Sequence, residues 1–123
     1  MIFGLDGGGA ATAFPLSALR RDHVVNDRLG AEPVVIVHQP SSDTTTAFRS
    51  RAQGRTFTFR AADKQIKWMI DRETGSRWDP YGRCISGSMR GAQLESLTLE
   101  PEFWFAWSEF HPDTAVYRST ASR

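Results

Sequence analysis

Short β-capable runs separated by turn signals set the limits on what this chain can fold into. The pattern is cleanest in "RTFTFRA", where Phe57 and Phe59 alternate with Thr56, Thr58 and Arg60, as a strand with one buried face requires. "HVVND" and "PVVIVHQ" read as strands on either side of the "DRLGAEP" loop. "TTTAFRS" and "RTFTFRA" flank "RAQG" and form a hairpin. An earlier hairpin lies in "MIFGLDGGGAATAFPL", where an Asp-Gly pair separates two β-capable runs. The glycines Gly7, Gly8 and Gly9 belong to that turn. No Lys-Ser/Thr follows them and no helix opens behind them, so a phosphate-cradling loop is not expected. "LSALRRD" carries one or two helical turns. "KQIKWMID" places Ile66, Trp68 and Ile70 on one side of a strand, and "YGRCISGSM" and "GAQLESLTL" add two more strands.

The period changes in "PEFWFAWSEFHP". Pro101 suits a helix start and Pro112 lies beyond its end. Phe103, Trp107 and Phe110 fall at i, i+4 and i+7, and are predicted to face the domain's own sheet. Trp104 then points about 100° away from Phe103, and Phe105 about 200° away, so one of these two rings is expected to be exposed or covered by a partner. Aromatic residues cover more of this helix than the ~100° stripe that a core-facing helix buries. "TAVYRS" closes the chain as a last strand. The fold class is therefore mainly β, α+β at the margin: a single small domain, residues 1–123, of short antiparallel strands and hairpins with a short aromatic C-terminal helix.

Composition narrows the function classes. A chain of 123 residues buries enough surface for one core without disulfide staples. Its single cysteine, Cys84, excludes an internal disulfide and a multi-cysteine zinc site. With Lys+Arg 15 against Asp+Glu 14 the net charge is +1, which excludes steering toward nucleic acid or anionic lipid by overall charge. The longest apolar run, "PVVIVH", is far short of the ~20 residues of a spanning helix. "MIFGLDGGG" lacks the charged and apolar regions of a signal peptide, so no export signal is expected from these residues.

Several residue sets carry possible chemistry. "HQPSSDTTTAF" is expected to be a strand end, a turn and a new strand, holding no metal. Its His38 and Asp43, together with His23, are nevertheless the candidate ligand or metal residues, since imidazole and carboxylate bind zinc, copper or iron. Their spacing matches no established metal motif. Ser41 and Ser42 lack a nucleophile elbow and suit a turn. Asp71 and Glu73 share a strand face but stand before the Thr74-Gly75 turn, where acidic residues are ordinary. That turn is predicted to hold Gly75 at positive φ, with Trp78 in the core beside Trp68. Cys84 reads as a small buried hydrophobe. Arg49, Arg51, Arg55 and Arg60 gather around one hairpin opposite the phenylalanine face. Without a nucleic-acid motif, a solvated face is expected, with an anionic partner surface as its functional use. The candidate partner-binding residues are Trp104, Phe105, Arg49, Arg51 and Arg60.

"AFPLSAL", "HVVNDRLG", "PVVIVHQP", "RTFTF", "DRETGSRWDPYGRCISG" and "FWFAWSEFHPDTAVY" follow in an order that resembles the bacterial family called domain of unknown function 3179. The most specific part is Asp71-x-Glu73-Thr74-Gly75-Ser76-x-Trp78 with Gly82, Ile85 and Gly87 behind it. The resemblance implies a Cys-Pro-x-Cys-Gly-Thr segment after the apolar strand and a Trp-His-Glu tripeptide before "VND". Here Pro40 and Thr44 match, but Gln39 and Ser42 occupy the cysteine positions and Asp43 the glycine. Arg21, Asp22 and His23 stand in the tripeptide's place, the histidine one position late. Paired thiols bind soft metals or cycle through a disulfide, whereas Gln and Ser do neither. The resemblance also implies relatives that are often exported. The function expected is a non-catalytic binding or scaffold module without a cofactor, an accessory subunit whose partner is protein, either a second copy or a larger assembly. The alternative is a metal-binding protein or enzyme using His23, His38 and Asp43.

Overall fold

The computed structural model describes residues 1–119 and is mainly β, with two short helices. The chain begins with β1 (Ile2–Gly7), β2 (Ala10–Pro15), α1 (Leu16–Asp22), β3 (Val24–Leu29), β4 (Glu32–Gln39) and β5 (Thr44–Arg49). Short strands follow: β6 (Arg51–Ala52), β7 (Arg55–Thr56), β8 (Phe59–Ala61), β9 (Met69–Asp71), β10 (Arg77–Trp78) and β11 (Cys84–Ser86). It continues through β12 (Ser96–Leu97), β13 (Glu100–Glu102), α2 (Trp104–Phe110) and β14 (Ala115–Val116).

These strands make three four-stranded sheets, ordered β13-β1-β2-β14, β12-β5-β4-β3 and β11-β10-β9-β8, plus the separate β6-β7 hairpin. The β1–β2 turn falls on Gly8-Gly9, so Asp6 and Gly7 end the strand instead of forming the turn. β14 joins β2 in parallel, the one departure from antiparallel pairing among the described strands. β4 has Val35 and Val37 in one apolar cluster and Val34 and Ile36 in another. Burial on both faces explains why "PVVIVH" is continuously apolar instead of alternating.

The larger cluster centres on Trp78, Phe57 and Phe59, with ring centroids of the phenylalanines 5.2 and 5.4 Å from the indole. Trp78 is therefore buried as expected, but not beside Trp68. That ring is half-buried, and the Arg77 guanidinium lies over it at 5.9 Å. The expected alternation through "KQIKWMID" also fails. Asp63 accepts the Ile66 N–H at its carbonyl and the Lys67 N–H at its side chain, forming a turn in which Ile66 has φ 57°. The strand starts only at Met69, so Ile66 and Met69 are buried while Trp68 and Ile70 are half-buried.

The turn after β9 is as predicted, with Gly75 at φ 70° and its N–H on the Asp71 carbonyl at 3.0 Å. Its anchor is the fully buried Asp71 side chain. That side chain accepts Trp78 Nε1–H at 2.8 Å, the Thr74 N–H at 2.5 Å and the Thr74 hydroxyl at 2.8 Å. Burying a carboxyl group is costly unless donors satisfy it, which ties Asp71, Thr74 and Trp78 together at their spacing.

α2 starts later than expected, because Pro101 lies in β13, paired with Phe3 of β1. Trp107 is the helix's one buried residue. Its indole N–H donates to Thr114 Oγ1 at 2.9 Å. The ring lies directly on Gly4 of β1, where an added Cβ would stand 2.3 Å from it, so only glycine accommodates this docking. The predicted buried stripe of Phe103, Trp107 and Phe110 is thereby corrected: Phe103 is 61% and Phe110 82% exposed. Phe103 is extended backbone outside the helix (φ −76°, ψ 143°), so the i, i+4 relation to Trp107 does not hold. Phe110 ends a helix held to the sheet by one ring.

Candidate functional site

The stretch from His38 to Phe48 is a strand end, a turn over residues 40–43 and a new strand, with His38 directly opposite Thr45. His38 shares the β4 face of Val34 and Ile36, and its side chain is 1% exposed. Asp43 closes the turn at φ 53°, a conformation that aspartate tolerates better than most residues. Its Oδ1 lies 3.0 Å from His38 Nε2, and Thr45 Oγ1 lies 2.9 Å from Nδ1. A carboxylate only accepts, so Nε2 carries the proton and donates, and Nδ1 accepts from the Thr45 hydroxyl.

α1 supplies the rest. Arg20, in its last turn, forks onto Asp43 with Nε–Oδ1 3.2 Å and Nη2–Oδ2 2.7 Å. His23 follows the helix at φ 63°; its N–H donates to the Leu19 carbonyl at 2.9 Å, and its own carbonyl accepts the His38 N–H at 2.7 Å. Its ring stacks on His38 with centroids 6.1 Å apart and planes 15° apart. His23 Nδ1 is buried without a hydrogen-bond partner among the described residues.

Burial lowers the His38 pKa below its ordinary value; Asp43 opposes this, and His23 and Arg20 add to it. The hydrogen bonds from Arg20 hold Asp43 below the usual carboxylate range. The site is thus a neutral imidazole between a hydroxyl and an arginine-paired carboxylate. Structure brings together His23, His38 and Asp43, and adds Arg20 and Thr45, which sequence reasoning did not single out. Thr45 was findable: a four-residue turn after Gln39 pairs residue 38 with residue 45. Arg20 had no local signal.

Chemically, both His38 ring nitrogens are engaged, and no group of three His, Cys, Asp or Glu side chains among the described residues is arranged to hold a metal. Ser41 and Ser42 are exposed in the turn, and the hydroxyl that meets His38 is that of Thr45. Gln39 and Ser42, at the positions of the expected thiols, end β4 and lie in the turn. Elsewhere, Asp71 is enclosed by its own turn, while Glu73 accepts the Thr58 N–H at 2.8 Å. Cys84 is buried, which pushes its thiol pKa up and away from reactivity.

The candidate partner-binding residues divide. Arg49 is paired with Glu32 at 3.0 Å and Glu95 at 2.8 Å, whereas Arg51 and Arg60 are exposed. Trp104 is 45% and Phe105 71% exposed, and the Phe103 and Phe105 rings stack 6.0 Å apart. Beside the end of α2 runs a cleft of about 870 Å³ whose lining includes Asp6, Asp27, Phe110, His111 and Asp113. Three separate turns build it, so no single stretch announces it. No helix among the described residues is long and apolar enough to cross a membrane.

No curated protein and no solved structure matches the chain. A family model does, over residues 1–114 of 123, in the region that holds the Asp71–Trp78 turn, the His38 site and α2. The chain belongs to the family described as "Protein of unknown function (DUF3179)".

Proposed function

We propose that this chain is a non-catalytic binding module, an accessory subunit that docks on protein through the surface of α2. The observation that carries the reading is the exposure of four large aromatic rings, Phe103, Trp104, Phe105 and Phe110, around a helix that buries only Trp107. Clustered exposed aromatics mark interaction sites, because such rings bury much apolar area with few rotamers to freeze. Burying one of them contributes roughly 2–3 kcal/mol to association. The acid-base groups support the same reading: His38 is hydrogen-bonded at both nitrogens, and Asp71 lies wholly within its own turn.

The test is native purification of the tagged chain with mass measurement of what accompanies it. Trp104→Ala combined with Phe105→Ala should release the partner and leave Tm unchanged, whereas Trp107→Ala should chiefly destabilise the fold. Retention of every partner by the double variant would defeat the proposal. A second reading, a metal or small-ligand site at His23, His38 and Asp43, is favoured by the convergence of these residues and by the unpartnered His23 Nδ1. About one transition metal per purified chain, lost in His38→Ala, would establish it instead.

A further inference from the structure

Charge is segregated along this chain although its sum is near zero. Between residues 91 and 117 stand Glu95, Glu100, Glu102, Glu109 and Asp113, without a lysine or arginine. Between residues 44 and 62 stand Arg49, Arg51, Arg55 and Arg60, without an acid. Arg49 and Glu95 are paired within the molecule. Of the remainder, Arg51 and Arg55 stand exposed on the β6–β7 hairpin and Arg60 on β8, while Glu109 and Asp113 stand exposed in α2 and just after it, where the chain also carries its exposed aromatic rings.

The two surfaces have complementary chemistry. A guanidinium stacks on an aromatic face and forks onto a carboxylate, a combination that lysine does not reproduce. Arg51 and Arg55 lie on the β6–β7 hairpin, which pairs with no other strand among the described residues and carries Gln53 and Gly54 exposed at its tip. The cleft at the end of α2 has Asp6, Asp27, Asp113 and Phe110 in its lining, and its 870 Å³ accommodates an arginine side chain with room to spare. Of the basic residues in the lining, Arg28 has its guanidinium on the Ala31 carbonyl at 3.1 Å, and His111 Nε2 lies 3.8 Å from Asp6 Oδ2. Burial raises the Asp27 pKa, a cost that an entering cation relieves.

We propose that a second copy of this chain is a partner: the arginine hairpin of one copy seats on the acidic aromatic surface of α2 in the other. This rests on the reading of α2 as a docking surface and names what docks there. Such a contact joins two different patches, so it is heterologous, and it either closes into a ring or adds copies in a row.

Sedimentation of the full chain over a concentration series tests it. Self-association is expected, and raising salt from about 0.1 to 1 M, which shortens the Debye length from roughly 10 to 3 Å, should weaken it about tenfold or more. Arg51→Glu with Arg55→Glu should be monomeric, and so should Glu109→Arg with Asp113→Arg. All four positions are exposed, so Tm should hold in both. Mixing the two variants restores opposite charge at the junction, and they should associate with each other as the wild type does with itself. A wild-type chain that stays monomeric at low salt, or variants that associate alone as strongly as wild type, overturns the proposal. If the wild type is monomeric yet loses a different protein on Trp104→Ala with Phe105→Ala, self-association fails and the docking surface stands.

Discussion

Two carboxyl groups organise this molecule, and they are built in opposite ways. Asp71 is fully buried and, among the described residues, its side chain accepts from neutral donors only, namely an indole N–H, a backbone N–H and a hydroxyl, all from residues 74–78. Asp43 stands half in solvent, held by a cation from α1 and by an imidazole from β4. The first group cannot be altered without stranding its donors away from water. The second can lose a partner to solvent at little cost, since exposed ion pairs are screened. A buried, locally satisfied carboxyl is therefore a structural anchor. An exposed one gathered from distant elements is where a change of pH is expected to act.

Removing the anchor should have the largest effect. Asp71→Ala leaves the buried Trp78 N–H and the half-buried Thr74 N–H without their acceptor, which predicts a loss of about 3–4 kcal/mol in denaturant unfolding. A loss under about 1 kcal/mol would mean that water reaches the turn, and the contrast with Asp43 would collapse. Gly75→Val, in the same turn, forces a branched residue to φ 70° and should cost on the order of 1 kcal/mol or more. An unchanged Tm would count against the turn's conformation.

At the other centre, Thr45→Val removes the hydroxyl on His38 Nδ1 and leaves that nitrogen buried without a donor, for an expected loss of about 1 kcal/mol. The pH dependence sharpens the difference further. His38 is buried with its pKa lowered, so as pH falls below about 6.5 the unfolded chain takes up this proton before the folded one. Stability should therefore decline from about pH 6.5 down to the lowered pKa and stop declining below it. His38→Asn should flatten that limb of a urea-midpoint series; a slope that survives the substitution belongs to other groups. Asp43 adds a second loss at more acid pH, because its depressed pKa contributes stability that disappears as pH falls through it. Asp43→Asn should abolish this acid limb while moving Tm at neutral pH least of all these substitutions.

Legibility followed the same divide. The Asp71–Trp78 anchor could be read as a turn with Gly75 at positive φ because all its partners lie within eight residues of chain. The His38 site was legible only in part. His23, His38 and Asp43 stood out by residue type, and Thr45 follows from hairpin register. Arg20 arrives from a helix 23 residues upstream of Asp43, with no periodicity pointing to it. The neighbour of Trp78 was missed because the Asp63 turn interrupts an alternation that looked continuous.

By itself the sequence determined the mainly β class, the β1–β2 hairpin, the burial of Phe57 and Phe59, the family and the absence of its expected thiol pair. These follow from side-chain period, turn chemistry and residue identity, which are local properties of the chain. The hairpin expected between "TTTAFRS" and "RTFTFRA" shrinks to β6–β7, because β5 pairs with β4 and β12 and β8 pairs with β9. Tertiary structure alone decided that α2 docks by one indole on Gly4, that Phe103 and Phe110 face outward, and that β14 joins β2 in parallel. It also decided that the imidazole of His38 meets an arginine-paired carboxylate. Period says which residues share a face, but what covers that face depends on where distant elements arrive, and that is settled only when the whole chain packs.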